Sequence, residues 1–266
     1  MQHRSRTFTK AAILALLAAV VTLFVAWTRG DLPVAKAYHS AEFLEEMRAA
    51  GASLPMGQNT WFMGSGRCAG CHGHDPAENA GYTSDGRDVN LVDDWRSSMM
   101  ANSAKDPFWR AKVSHEGLVN PPHQAALEDK CTSCHAAQGR YDKFLTGGGP
   151  YAIAELVNDS IGLDGVSCLV CHRQSPDSLG KLFSGNLRFT AGDSVYGPYS
   201  DNIFGAPMAS FVGFQPVFGA HINHAGLCAG CHTLITETAD LSGNLTGDHF
   251  VEQATYHEWL NSDFNT

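Results

Sequence analysis

The sequence predicts a mainly α-helical chain with extensive irregular loops and little β structure. Several short segments place apolar residues at helical spacing, whereas the alternation of apolar and polar residues that marks a strand is scarce. The 266 residues are 44% hydrophobic, which is enough for the core of one or two domains, but they include 27 glycines. All eight cysteines belong to one repeated pattern. We therefore expect something besides apolar side chains to organise the core.

The first 37 residues have the composition of an export segment. Residues 1–10 are basic and contain no acid, and residues 11–27 form an unbroken apolar run, about 25 Å long as a helix. Small residues at Ala35 and Ala37 provide a cleavage site. Residues 1–37 are therefore predicted to be a signal peptide or an N-terminal membrane anchor. Either would place the rest of the chain in the periplasm or elsewhere outside the cytoplasm, touching the membrane only through an uncleaved segment.

Three segments within the first 161 residues are predicted to be helical. Residues 38–50 carry apolar residues on one helical face. Residues 91–116 predict two short helices that are broken before Pro107, since the residue before a proline disfavours helix. Residues 150–161 predict a further helix with its proline at the first position.

The last third of the chain is predicted to be mostly irregular. Residues 176–220 are rich in Gly, Pro, Ser and Phe, which favours an extended loop. Residues 249–264 have helical spacing and predict a C-terminal helix.

Every cysteine lies in a Cys-x-x-Cys-His motif. In chain order, motifs 1 to 4 are Cys68-Ala69-Gly70-Cys71-His72, Cys131-Thr132-Ser133-Cys134-His135, Cys168-Leu169-Val170-Cys171-His172 and Cys228-Ala229-Gly230-Cys231-His232. Two thiols at this spacing can add to the two vinyl groups of one haem, and the next residue then lies beneath the ring, where its imidazole binds iron as the proximal ligand. The motifs predict four covalently attached haem c groups in one domain, residues 38–266, with loops wrapped around porphyrins that form much of its core.

Other uses of paired cysteines explain the motifs less well. Zinc sites do not require a histidine directly after the second cysteine. A thioredoxin-like redox pair would occur once rather than four times. Four disulfides are possible in an exported chain, but they would not account for four adjacent histidines. The short interval between motifs 2 and 3 also suggests that their haems are neighbours.

Each iron has a second axial position, and the side chain there decides the chemistry. Histidine or methionine gives a closed electron-transfer haem, whereas an open position allows substrate chemistry. Eight histidines outside the motifs follow residue 37, so potential ligands are plentiful. The candidate distal ligands are Met100, His115, His221 and His224.

Several segments together resemble multihaem c-type cytochromes related to the hydroxylamine oxidoreductase and octahaem reductase superfamily. The matching segments are WRSSMMANSAKDPFW (95–109), CTSCH (131–135), GVSCLVCHR (165–173), YGPYSD (196–201), LCAGCHT (227–233) and FVEQATYHEWLNSDF (250–264). In similar proteins Ser-Met-Met-Ala can be Ser-Met-His-Ala, which favours Met100 over Met99 as a ligand. The last segment usually leads into another Cys-x-x-Cys-His motif in that group, so the resemblance leaves open whether the chain is a fragment of a longer cytochrome with more haems.

The resemblance implies electron transfer in extracytoplasmic respiration and fixes no substrate. The main prediction is an electron carrier rather than an enzyme. The alternatives are a reductase of a nitrogen or sulfur oxyanion with one open haem, and a subunit of a polymeric cytochrome wire. Residues 38–266 carry 13 basic and 26 acidic side chains, which argues against nucleic-acid binding and favours basic docking surfaces. The expected partners are other cytochromes, a quinol-oxidising membrane complex or a terminal reductase.

Overall fold

Short helices dominate the part of the chain that the structure describes. In a computed structural model, residues 53–265 are described. Within that range the α-helices are α1 (Ser65–His72), α2 (Leu91–Arg96), α3 (Met99–Asn102), α4 (Pro107–Val119), α5 (Gln124–His135), α6 (Ala137–Leu145), α7 (Ile153–Leu156), α8 (Cys168–His172), α9 (Ala206–Val212) and α10 (Thr255–Leu260). The strands are β1 (Ser194–Gly197), β2 (Gln215–Phe218), β3 (Leu234–Ala239) and β4 (Leu245–Gln253). The predicted mainly α composition with little β structure is confirmed.

The segment predicted as two helices over 91–116 forms three. The side chain of Ser98 accepts a hydrogen bond from the Ala101 backbone N–H and so begins α3 separately from α2. The predicted break before Pro107 is confirmed, because Asp106 caps α4 and Pro107 stands in its first turn. Local capping therefore divides this region more finely than apolar spacing indicates.

Two predictions over the last third of the chain are corrected in part. Residues 176–220 contain β1, β2 and α9, and β1 pairs with β2 in parallel. Residues 249–264 are helical only over α10, because residues 245–253 pair antiparallel with β3. Asp240 stabilises the turn of this hairpin by accepting from the Asn244 backbone N–H at 2.9 Å. Long-range strand pairing thus overrides the helical spacing of the sequence.

The predicted helix over 150–161 is also shorter than expected. Only α7 is α-helical, and a 3-10 turn at Gly162–Asp164 follows it. The Glu155 carboxylate accepts from the Ala152 backbone N–H at 3.2 Å, which fixes the start of α7 at Ile153, three residues after Pro150.

Two buried apolar clusters lie against the motif helices. The larger includes Tyr141 of α6 and Leu169 and Val170, which separate the cysteines of motif 3. The smaller includes Trp109 and Ala136, and Cys131 of motif 2 packs against it. Motifs 2 and 3 therefore adjoin the core, whereas Cys71 of motif 1 and Cys228 of motif 4 are exposed.

No helix within residues 53–265 is sufficiently long and apolar to cross a membrane. The predicted export segment at 1–37 and the predicted helix at 38–50 lie outside the described residues.

Candidate functional site

Three of the four motifs end a helix or form one. Motif 1 lies at the end of α1, motif 2 at the end of α5, and motif 3 makes up α8. Motif 4 follows a 3-10 turn, and the His232 backbone N–H donates to the Cys228 carbonyl at 2.9 Å. Since residues three apart lie on one side of such a turn, each motif presents both thiols in the same direction.

A buried carboxylate holds motif 1 beside motif 3. Asp164, four residues before Cys168, accepts from the Ser65 backbone N–H at 2.9 Å and from the Ser65 hydroxyl at 2.8 Å. Ser65 is the first residue of the helix that carries motif 1. The Cys68 and Cys168 thiols are close enough that each shifts the pKa of the other.

A glycine allows motif 2 to approach motif 4. Gly185 has a φ of +71°, and a Cβ there would collide with the Ser133 hydroxyl of motif 2. The Gly185 backbone N–H donates to the carbonyl of Gly230, in motif 4, at 2.8 Å. The Cys134 and Cys231 thiols face each other across this junction closely enough that each shifts the pKa of the other.

The thiols that lie near one another do not come from motifs 2 and 3, the pair with the shortest interval in the sequence. They come from motifs 1 and 3, from motifs 2 and 4 and, for Cys171 and Cys228, from motifs 3 and 4. The short interval between motifs 2 and 3 thus does not determine which thiols meet.

The thiols have unequal acidity because of these contacts and their burial. The neighbouring Cys168 thiol lowers the pKa of Cys68, and the Cys68 thiol in turn raises the pKa of Cys168. Burial raises the pKa of Cys131 and of Cys171 to about 11. Among residues 53–265, which include all eight cysteines, there is no disulfide.

Two motif histidines are oriented as metal ligands usually are. His135 Nδ1 lies 3.3 Å from the Ser103 carbonyl, and His172 Nδ1 lies 2.5 Å from the Tyr196 carbonyl. A carbonyl can only accept, so Nδ1 carries the proton in both rings and Nε2 keeps its lone pair. Ligating histidines commonly donate their other ring N–H in this way, which fixes ring orientation.

Trp109 adds a second constraint on His135. The two rings are stacked with centroids 4.6 Å apart and an angle of 7° between their planes. Burial lowers the pKa of His135, which favours the neutral imidazole that can bind a metal. Ser103 also donates its hydroxyl to the His135 carbonyl at 2.8 Å. The His135 imidazole is therefore held by Trp109 on one face and by the Ser103 carbonyl at Nδ1.

A cleft with a volume of about 620 Å³ opens beside motif 1. Cys68, Cys71 and His72 line one side, and the segment from Gly197 to Val217 lines the other. We call this the motif 1 cleft. Its walls are predominantly apolar, and its volume lies within the roughly 300–1,000 Å³ that small-molecule and cofactor sites occupy.

Four buried polar atoms near the motifs have no hydrogen-bond partner in the part of the protein that the structure describes. These are Trp109 Nε1, Ser167 Oγ, Arg173 Nε and Thr233 Oγ1. Arg173 directly follows motif 3 and Thr233 directly follows motif 4. Buried polar groups are almost always satisfied, so an ordered water suits these positions. The oriented motif histidines beside paired cysteines and the apolar cleft at motif 1 fit haem.

The candidate distal ligands lie in different surroundings. Met100 and His115 are exposed on α3 and α4. The backbone carbonyl of Met100 accepts from the backbone N–H of Val166, just before motif 3. His221 Nε2 lies 3.1 Å from the Gln174 carbonyl, beside motif 3. His224 Nδ1 accepts from the Gly226 backbone N–H at 3.1 Å, so its neutral ring carries the proton on Nε2. In these positions both histidines use a ring nitrogen for protein hydrogen bonds.

Sequence reasoning missed the residues that orient the motifs. Ser103, Tyr196, Asp164 and Gly185 contact their motifs across long stretches of chain, so no local pattern marks them. Trp109 lies in a segment that the resemblance includes, but its stacking on His135 is visible only in the fold.

Residues 53–265 contain no group of three or more His, Cys, Asp or Glu side chains arranged to hold a metal ion. Attachment of haem does not require such a group, because the porphyrin supplies four iron ligands itself. No protein-family model, curated protein or solved structure matches the chain.

Proposed function

We propose that the chain is a tetrahaem c-type cytochrome that transfers electrons outside the cytoplasm. The observation that carries the proposal is the complete use of eight cysteines in four Cys-x-x-Cys-His motifs, with Nδ1 of His135 and His172 directed at backbone carbonyls. The two cysteines of each motif would hold one haem through thioether bonds, and the motif histidine would bind its iron. Each haem would then supply an iron that gains and loses one electron.

The protein's part in this function is to set orientation, burial and spacing. Ser103 and Tyr196 would fix the imidazoles beneath two of the rings, which tunes the basicity of the ligand. Thiols of motifs 1 and 3, of motifs 2 and 4, and of motifs 3 and 4 lie close enough to shift one another's pKa, which supports four neighbouring attachment points. Cofactors bound at these points would lie close enough for electrons to pass between neighbours.

The charge distribution supports basic redox partners. Arg188 is the last basic residue of the chain, and residues 189–266 contain eight acidic side chains. A surface of one sign steers partners of the opposite sign, so we propose docking to basic faces of other cytochromes, a quinol-oxidising membrane complex or a terminal reductase. Nucleic acid is not an expected partner.

Mass spectrometry tests the attachment directly. The full chain, expressed with a c-type maturation system and exported, should gain about 2.5 kDa, or about 0.6 kDa for each of four haems. A variant with Cys131→Ala and Cys134→Ala should gain one haem fewer, because motif 2 then offers no thiol. Fully matured wild-type protein with two or fewer haems would contradict the proposal.

The optical spectrum tests electron transfer against the reductase alternative. An electron carrier should show only low-spin haems, and added cyanide or nitrite should leave its spectrum unchanged. A high-spin fraction that binds these ligands would instead support an open haem and the oxyanion reductase.

A further inference from the structure

The side chains of the motif 1 cleft include few groups that can bind iron. Besides Cys68, Cys71 and His72, the lining side chains with an oxygen or sulfur atom that can bind iron are those of Tyr199, Asp201, Asn202 and Met208. No histidine other than His72 lines this cleft. The four candidate distal ligands from the sequence are likewise not among its lining residues.

Met208 is better placed than the other three side chains. Tyr199 is 74% exposed, and Asp201 and Asn202 are exposed as well. Met208 is partly buried and packs against the larger apolar cluster while it lines the cleft. A neutral thioether also suits an apolar cleft, whereas a phenolate would carry a charge into it.

The wall that carries Met208 is fixed relative to the motifs. Met208 lies on α9, which starts with a proline in its first turn and ends at Gly213, with a φ of +76°. β2 follows directly and pairs with β1, where Tyr196 contributes the carbonyl that faces His172. The same pair of strands thus holds the wall of the motif 1 cleft and orients the histidine of motif 3.

We propose that Met208 is the axial ligand of the motif 1 iron, on the side opposite His72. The inference rests on the proposed function and assigns a coordination that none of the motifs encodes. Met/His coordination raises the reduction potential of a c-type haem relative to bis-histidine coordination. The motif 1 haem would then be a high-potential member of the set, at one side of the molecule.

Two substitutions of Met208 test the assignment in the matured holoprotein. The oxidised wild-type protein should show the weak near-infrared charge-transfer band of sulfur-ligated ferric haem. Met208→Leu should remove the contribution of one haem to this band and give one high-spin haem that binds added cyanide. Met208→His should remove the same contribution, keep all haems low-spin, and lower the potential of one haem in a spectroelectrochemical titration.

A matched control separates ligation from general effects of losing a methionine. Met99 is 70% exposed, and Met99→Leu should change neither the band nor the titration. If Met208→Leu lowers the yield of holoprotein, the His variant carries the test, because it restores a ligand at the same position.

The outcomes distinguish this inference from the function on which it rests. The Met208 assignment would be overturned if wild-type protein with four attached haems lacked the near-infrared band, or if neither Met208 variant changed that band. Either result would leave the proposed cytochrome function intact. A matured chain with no covalent haem would overturn both.

Discussion

Asp164 is a buried carboxylate whose two hydrogen bonds from Ser65 hold the start of the motif 1 helix. It is 2% exposed, and both of its oxygens accept from Ser65. Burial is the largest cause of its raised pKa, and the bonds from Ser65 oppose that effect. The residue therefore contributes geometry at an electrostatic cost.

Replacing Asp164 should separate these two contributions. Asp164→Ala leaves the Ser65 donors unpaired in a buried site, so the free energy of unfolding should fall by about 1–3 kcal/mol. Asp164→Asn keeps one acceptor oxygen and can donate to the Ser65 hydroxyl, so its loss should be smaller. Urea denaturation of the holoproteins at pH 7 measures both, with exposed Asp94→Asn as the control. Equal losses for Ala and Asn would contradict the geometric role.

The raised pKa of Asp164 also predicts a pH dependence. The folded protein holds the proton more tightly than the unfolded chain, whose ordinary pKa is 3.8. The stabilisation from protonated Asp164 is therefore complete below pH 3.8 and is lost as the pH rises through the folded pKa. The free energy of unfolding of the wild type, relative to that of Asp164→Asn, should fall as the pH rises from 3.8 through the folded pKa of Asp164. A difference between the two proteins that does not change with pH would contradict the raised pKa of Asp164.

The motif histidines should matter more than any distal ligand. His135 and His172 are each fixed at Nδ1 and follow an anchored pair of cysteines, so their loss leaves iron without its protein-side bond in a dry pocket. A distal ligand can be replaced by water or a neighbouring side chain. His135→Ala and His172→Ala should reduce holoprotein yield and low-spin absorbance more than Met100→Ala or His221→Ala. The reverse order would contradict these roles.

At the scale of elements, the segment around Gly185 is what joins motifs 2 and 4. Ser184 donates its backbone N–H to the carbonyl of Thr233 at 2.8 Å, and Gly185 does the same to Gly230. Lys130 of α5 donates to the Ser184 carbonyl at 2.9 Å. A stretch of irregular chain thus performs the joining that a strand or helix performs in other folds.

Gly185→Ala should disrupt this junction. The substitution combines strain at a positive φ with a collision against Ser133, so it should destabilise the protein by more than the roughly 1 kcal/mol expected from strain alone. Gly147→Ala is the matched control, since Gly147 has a φ of +82° and open space around it. Thermal unfolding measures the difference, and mass spectrometry measures attachment at motifs 2 and 4. Similar effects in the two variants would show that close approach at Gly185 is unimportant.

Local chemistry accounts for the elements that the sequence predicted well. Pro107 begins α4 and the four motifs are complete in themselves, because both depend on neighbouring residues. The parallel pairing of β1 with β2 joins residues about twenty apart and has no such marker. The position of Met208 in the motif 1 cleft and the contact of Asp164 with Ser65 also depend on residues far apart in the sequence. Neither was therefore predictable from the spacing of residues along the chain.

At the scale of the whole molecule, several large apolar side chains are exposed, and two of them line the motif 1 cleft. Phe204 and Phe211 line that cleft and are 83% and 76% exposed, and Phe108 in α4 is 81% exposed. Protein interiors are normally closely packed, and exposed apolar groups of this size mark surfaces that bind something. The polypeptide therefore provides an apolar lining whose coverage depends on a ligand, and its stability should depend on that ligand too.

This dependence predicts that the chain folds only when it is matured. Expression in the cytoplasm without maturation factors should give protein that is readily digested by protease and binds a dye for exposed apolar surface, because binding free energy of the cofactor is part of the folding free energy. The exported, matured protein should resist the same protease. The variant lacking both cysteines of motif 2 is the internal comparison, and it should be intermediate, since one of four attachment points is lost while the Asp164 junction between motifs 1 and 3 remains. An unmatured chain that unfolds as cooperatively as the holoprotein, at a similar denaturant concentration, would show that apolar side chains alone form the core and would remove the main physical argument for porphyrins within it.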